Sequence, residues 1–332
     1  MALIKTMNKI IGRKLNEWLK SVTDVALRDI IRENIVITGG CFPSMIQNEA
    51  PKDYDCYFKT KESTKRVAEY YVKQWNDAHK DKCNKQGKAC QVFVLDGAEP
   101  SEELLEYYHI NDINQAKSRM IANTQPERLK VIFPSDGVVG DPQTVRADEE
   151  LGDALSNITE IDETKADEII EQEKRKYFPV FLSTNAITLS DGIQIVVRFY
   201  GEPDKIHETY DFQHTKAYWT SETGTIIPNE VYDAVINKTL IYTGSKYPVC
   251  SIFRMRKFIE RGWKINAGQM LKICMQVSAL DLMDIDTLED QLVGVDSLYF
   301  MSLIEQFRRM KEKNTDWDLT PQYIISVIDK IF

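Results

Sequence analysis

Two aspartates separated by one residue, Asp53 and Asp55, carry the clearest chemistry in this 332-residue sequence. They follow the run Ile35-Val36-Ile37-Thr38-Gly39-Gly40-Cys41-Phe42-Pro43-Ser44. Side chains alternate across a strand, so Asp53 and Asp55 project from one face and Tyr54 from the other. Carboxylates about 7 Å apart along one strand face are hard oxygen ligands that suit Mg2+ or Mn2+ beside a phosphate chain. The two glycines supply a tight turn that a bulky group can approach closely.

The elements that must position these residues can be read around them. The β-branched run Ile35 to Thr38 is a strand that delivers the glycine turn, and Tyr54 to Phe58 is its neighbour. Residues 42–48 are expected to start a helix whose first amides face the turn, with Ser44 adding a hydroxyl donor. Upstream, Asp24 caps a helix over 24–34, and Ile4, Met7, Ile10, Ile11, Leu15, Trp18 and Leu19 recur at helical spacing. Downstream, Ser63 and Thr64 begin a helix to His79, followed by a lysine-rich turn (Lys80 to Lys88) and short strands at Gln91 to Leu95 and Val131 to Pro134. Tyr177 to Leu189, the turn Ser190-Asp191-Gly192 and the alternating Ile193, Ile195, Val197 and Phe199 read as a hairpin. A strand over His207 to His214 is expected beside the first strand. Helices are expected over Asn229 to Lys238, from Cys250 to Gly262, and over 268–284, 288–312 and 320–332, so the tail is a small α-helical domain.

Composition narrows the class. A net charge of −9 disfavours a protein that coats long nucleic acid, which needs a broad basic surface. No apolar run is long enough to span a membrane and no signal peptide is evident, so a cytoplasmic protein is expected, in the host cytoplasm if it is viral. Six cysteines, at 41, 56, 83, 90, 250 and 274, lack metal-site spacing and read as reduced thiols. From Asp148 to Glu173 there are eleven acids against the single lysine Lys165, which reads as a solvated segment.

The glycine turn followed by Asp53-Tyr54-Asp55 resembles the head of the DNA polymerase beta-like nucleotidyltransferase superfamily. The closer likeness is to CCA-adding enzymes, poly(A) polymerases and nucleotidyltransferase-like proteins of large bacteriophages; the phage likeness is strongest from Tyr177 to Trp219. The resemblance implies a third carboxylate on a later strand, matched by Asp211, with Glu208 the competing candidate. Pro248 to Phe258 is similar to the proline, double-arginine and apolar segment that lines the nucleotide pocket in those enzymes. That makes Arg254 and Lys257 contacts for phosphate or base, beside Gly39, Gly40 and Ser44.

The expected fold is α+β: a nucleotidyltransferase head with a short mixed sheet flanked by helices (1–59 and 176–245), a large insertion (60–175) and a C-terminal helical domain (246–332). The implied activity is transfer of a nucleoside monophosphate from an NTP, ATP or CTP, to a hydroxyl of RNA, tRNA included, or of another acceptor. Asp53, Asp55 and Asp211 would hold the metal. The alternatives are a catalytically silent virion-associated or nucleotide-binding protein, and a toxin or second-messenger nucleotidyltransferase.

Overall fold

The structure is a computed structural model and describes residues 2–80, 91–96, 102, 105–106, 128–132, 139–140, 176–183, 185–292, 298–313 and 317–329. The acidic run 148–173, most of the lysine-rich turn, Cys83, Cys90 and much of the expected insertion lie outside the described residues. The chain is α+β and divides into two units, residues 1–208 with 214–236, and residues 209–213 with 237–332.

The first unit begins with α1 (Ala2–Ser21), which buries Met7, Ile11, Leu15, Trp18 and Leu19 at helical spacing. Helix α2 (Val25–Asn34) starts where the sequence places its cap: the Asp24 carboxylate accepts from the Leu27 amide at 3.1 Å. It runs directly into β1 (Ile35–Thr38), and the glycine turn leads into the short α3 (Cys41–Ile46). Strand β2 (Tyr54–Phe58) follows, then α4 (Lys61–His79). Helix α4 starts three residues before the expected Thr64 because Thr60 and Ser63 form a capping box. The buried Trp18 Nε1 donates to the Tyr71 hydroxyl at 2.6 Å, which ties α1 to α4.

The remaining strands are β3 (Phe93–Asp96), β4 (Leu129–Ile132), β5 (Val139–Gly140), β6 (Pro179–Leu182), β7 (Ala186–Leu189), β8 (Ile193–Val196), β9 (Tyr218–Thr220) and β10 (Gly224–Ile226). β3 and β4 form an antiparallel pair. Among the described residues the main sheet has the order β10-β9-β1-β2-β8-β7-β6-β5. It is mixed: β2 and β8 run parallel, and the other pairs run antiparallel. One row across it, Trp219, Ile37, Cys56, Ile195, Ile187 and Leu182, is buried and belongs to the core. At the edge of the sheet the Asn8 side chain accepts from the Thr225 amide of β10 at 2.8 Å, which occupies a donor an edge strand would leave open.

The expected strand over His207 to His214 is not formed. Pro203 to His207 is a short helix, Asp211 lies in a bend, and Gln213 to Thr215 is a 3-10 turn. Pro203 at the first helical position favours the helix. The strand paired with β1 on that side is β9, which carries no acid.

The second unit contains helices Pro248–Glu260, Ala267–Val277, Ile285–Leu292, Leu298–Lys313 and Pro321–Ile328. The expected helix over 288–312 is therefore two. Ile285, Leu288, Leu292, Leu303, Ile304, Phe307, Leu319 and Val327 form its core. The segment Thr209–Gln213 is stitched into it through Phe212, which bridges Tyr242 and packs edge-on against the rings of Tyr242 and Phe258.

Candidate functional site

The strand register puts Asp55 of the aspartate motif against the glycine turn. β1 and β2 pair so that Thr38 stands opposite Asp55. Gly39 follows with φ +87°, a conformation glycine adopts freely, and a Cβ built there would stand 2.2 Å from Asp55 Oδ2. The Asp55 carboxylate thus occupies the space that any other residue at 39 would fill. Around Gly40 a Cβ would meet nothing within 4 Å, so the turn is open on that side. Gly40 and Asp53 are exposed and Asp55 is half-buried.

The second support for the motif is the turn between β7 and β8. Asp191 and Gly192 both have positive φ, at 64° and 72°, and a Cβ on Gly192 would lie 2.6 Å from the Lys52 carbonyl and 3.6 Å from Asp53 Cα. The chain entering β2 is therefore braced at Asp53 by this turn. Lys14 adds a clamp from α1: its Nζ donates to the Asp191 carbonyl and lies over the rings of Tyr54 and Tyr177, 5.7 and 5.3 Å from their centroids. Burial pushes the Tyr54 hydroxyl up to about 12, so it stays protonated.

Thr38 is fully buried, and its hydroxyl is committed. It donates to the Ala217 carbonyl at 2.8 Å, and His207 Nε2 lies 2.8 Å away on its other side. With its single proton given to Ala217, the oxygen accepts from a protonated Nε2. Burial, and after it the charge of Lys216, pushes His207 down to about 4, so the ring is neutral at pH 7. The Gly39 amide donates to the Thr215 carbonyl at 3.3 Å, which ties the turn to the segment leading into β9.

The local potential is negative. Burial first, and then Asp55, Cys56 and Asp53, push the Cys41 thiol well above its ordinary value, so it stays protonated and donates to the Thr38 carbonyl. The four described cysteines are free: Cys41, Cys56 and Cys250 are buried and Cys274 is exposed. Ser44 Oγ donates to the Gly40 carbonyl at 3.2 Å, within one turn of the glycines.

The first unit thus brings Gly39, Gly40, Ser44, Asp53 and Asp55 together. Asp211, Arg254 and Lys257 belong to the second unit. There Arg254 Nε pairs with Asp211 Oδ2 at 3.0 Å, the Asp211 side chain being 7% exposed, and the Asp211 carbonyl accepts from the Thr243 amide. Lys257 lies one turn beyond Arg254 on the same helix. Glu208 is exposed and pairs with Lys205 at 2.8 Å.

Sequence reasoning passed over Gln194, which the parallel pairing of β2 and β8 places opposite Asp55. It also left His207 out of the site. The alternation of β8 shows that Gln194 faces away from Ile193 and Ile195, but the register that sets it beside Asp55 is a long-range fact.

The Asp55 carboxylate against an open glycine turn, with the exposed Asp53 two residues before it, supplies the hard-oxygen donors Mg2+ takes from a protein when phosphate and water complete its shell. The residues present fit such an ion on this ground.

Residues 9–234 match the family model described as Gad2, Gabija anti-defense 2 family protein. The chain belongs to this family. The match to the Gad2 model covers the glycine turn, both aspartates and every strand of the main sheet. No curated protein matches the chain. Among solved structures it is similar to the Thermotoga maritima CCA-adding enzyme complexed with tRNA-CCA, at 12% identity and a TM-score of 0.31, over 92% of this chain and 57% of that one. This member of the Gad2 family thus spans little more than half of that enzyme chain. Among its described residues no helix is long and apolar enough to cross a membrane.

Proposed function

We propose that the first unit is a nucleotidyltransferase head, that it moves a nucleoside monophosphate from an NTP, ATP or CTP, to an acceptor hydroxyl, and that this activity serves the suppression of Gabija defense for which the family is named. The observation that supports it best is the packing of the Asp55 carboxylate against Gly39, with Gly40 open beside it and the exposed Asp53 at the entry to β2.

In this reading Asp53 and Asp55 hold Mg2+ or Mn2+, which when bound neutralises phosphate charge and makes the acceptor oxygen easier to deprotonate. Gly39 and Gly40 let the phosphates come close to the backbone, and the Ser44 hydroxyl turns from the Gly40 carbonyl to a phosphate oxygen. The neutral His207 and the buried Thr38 hold the turn in shape and take no proton from the substrate. For Asp211, Arg254 and Lys257 we propose roles the second unit can be asked about by itself: Asp211 and Arg254 hold one another, and Lys257 offers a cation to an anionic ligand. The acceptor is an RNA, tRNA included, or another hydroxyl compound.

A second reading has one observation in its favour. Among the described residues no three His, Cys, Asp or Glu side chains gather as a metal cluster. A head that binds a nucleotide without transferring it needs no such cluster.

The deciding experiment incubates the purified protein with each α-labelled NTP, Mg2+ or Mn2+, and mixed tRNA or protein extract, beside Asp53→Ala/Asp55→Ala. The same pair is expressed in cells carrying Gabija defense. Label transferred only by the intact protein, together with loss of defense suppression in the variant, is the expected result. Metal-dependent NTP binding without transfer favours the second reading, and the absence of both overturns the proposal.

A further inference from the structure

We infer that Gln194 is a nucleotide-contacting residue, its side-chain amide donating to an oxygen of the nucleotide held over Asp53 and Asp55; the inference rests on the nucleotide reading above. It follows from the row of side chains that crosses the sheet at the motif. Thr38, Asp55 and Gln194 are register partners on three adjacent strands, so they stand on one face. Thr38 is fully buried and its hydroxyl is committed to Ala217 and His207, so it has nothing to offer a ligand. Gln194, on the other flank, is half-exposed, and its amide makes no hydrogen bond among the described residues.

Its position is fixed by the backbone. Gln194 lies two residues beyond Gly192, whose close approach to Lys52 and Asp53 braces the start of β8 against the start of β2. Adjacent strands are about 4.8 Å apart, and a glutamine carries its polar group one methylene further from the backbone than an aspartate does. Gln194 therefore flanks Asp55 on the side away from Gly39, where its amide has the length to reach a group bound over the carboxylate. Two N–H donors without charge suit that place: they pair with anionic or hydroxyl oxygens of a nucleotide and add nothing to the negative potential of the two carboxylates.

The test measures equilibrium binding of each of the four NTPs, with Mg2+, to the full chain. It compares wild type, Gln194→Ala, Gln194→Glu and Asp53→Ala/Asp55→Ala, with Mn2+ binding in the absence of nucleotide followed by its spin resonance. Losing a donor to an anionic oxygen is expected to weaken nucleotide binding about five- to tenfold in Gln194→Ala. Gln194→Glu, which also adds a negative charge, weakens it further. Mn2+ binding by Gln194→Ala stays at the wild-type level.

If the bound NTP is lost in the double aspartate variant but held within twofold by both Gln194 variants, the inference is overturned and the nucleotide site stands. If Mn2+ and nucleotide binding fall together in Gln194→Ala, the side chain serves the cation instead and the inference fails. If the wild-type chain binds none of the four NTPs, both the site and the inference fall.

Discussion

Asp55 and Gly39 are packed so closely that a Cβ at position 39 would lie 2.2 Å from Asp55 Oδ2. Gly39→Ala therefore faces both a strained backbone at φ +87° and a displaced carboxylate. The backbone strain alone costs about 1–3 kcal/mol. The expected outcome is a lower melting temperature together with lost metal-dependent nucleotide binding. Gly40→Ala is the control: with φ −64° and open space around its Cβ, it holds stability within about 0.5 kcal/mol. Its nucleotide affinity still falls, because the methyl group stands where a phosphate would approach.

His207 predicts an acid sensitivity of known sign. Its folded value of about 4 lies below the ordinary 6.5, so between those values the unfolded chain takes up a proton that the folded chain refuses. The stability it contributes is complete above about pH 6.5, is lost as pH falls toward 4, and changes no further below that. The loss is on the order of 3 kcal/mol. Thermal melts from pH 7.5 to 4.5 should show a shallower decline for His207→Gln than for wild type. Equal slopes would mean that the ring is not held neutral.

In the second unit Arg254→Ala strips the cation from a buried Asp211 carboxylate. Because the Arg254 side chain is 42% exposed, the cost is discounted from the full buried-pair value to roughly 1–3 kcal/mol. Asp211→Asn/Arg254→Gln should recover part of it in urea unfolding, since no lone charge is left behind. An Asp211→Asn chain that melts like wild type yet transfers no nucleotide would instead assign Asp211 to the chemistry.

Tyr71→Phe leaves the Trp18 indole N–H buried without its acceptor. An unfolding free energy lower by roughly 1–3 kcal/mol is expected. Pairing the change with Trp18→Phe should cost less than the sum of the two single changes, because the stranded donor is gone.

What the sequence made legible was local. Asp24 before an amphipathic run places a helix start within one residue, and a β-branched run ending in two glycines places β1 and its turn. Helix α4 starts before Ser63 because Thr60 caps it and Ser63 completes the capping box from inside the first turn, a reciprocal pair that a single hydroxyl residue in the sequence does not reveal. Non-local facts were harder to read. Nothing between Thr209 and Gln213 announces that Phe212 packs on Tyr242 and Phe258 rather than adding a strand beside β1. Likewise, the alternation of Ile193 and Ile195 gives a strand but not its register, so Gln194 came to Asp55 only with the structure.

The parallel pairing of β2 with β8 also bears on how the protein comes into being. The two strands are neighbours in the sheet but are separated in sequence by α4, β3 to β7 and all that lies between. Closing so long a loop carries an entropic cost before any contact repays it, and such contacts form slowly. During synthesis the aspartates therefore emerge well before the strand that braces them. The proposed nucleotide site would be one of the last parts of the first unit to mature, and a nascent or truncated chain that ends before β8 would carry the motif without β8 to brace it.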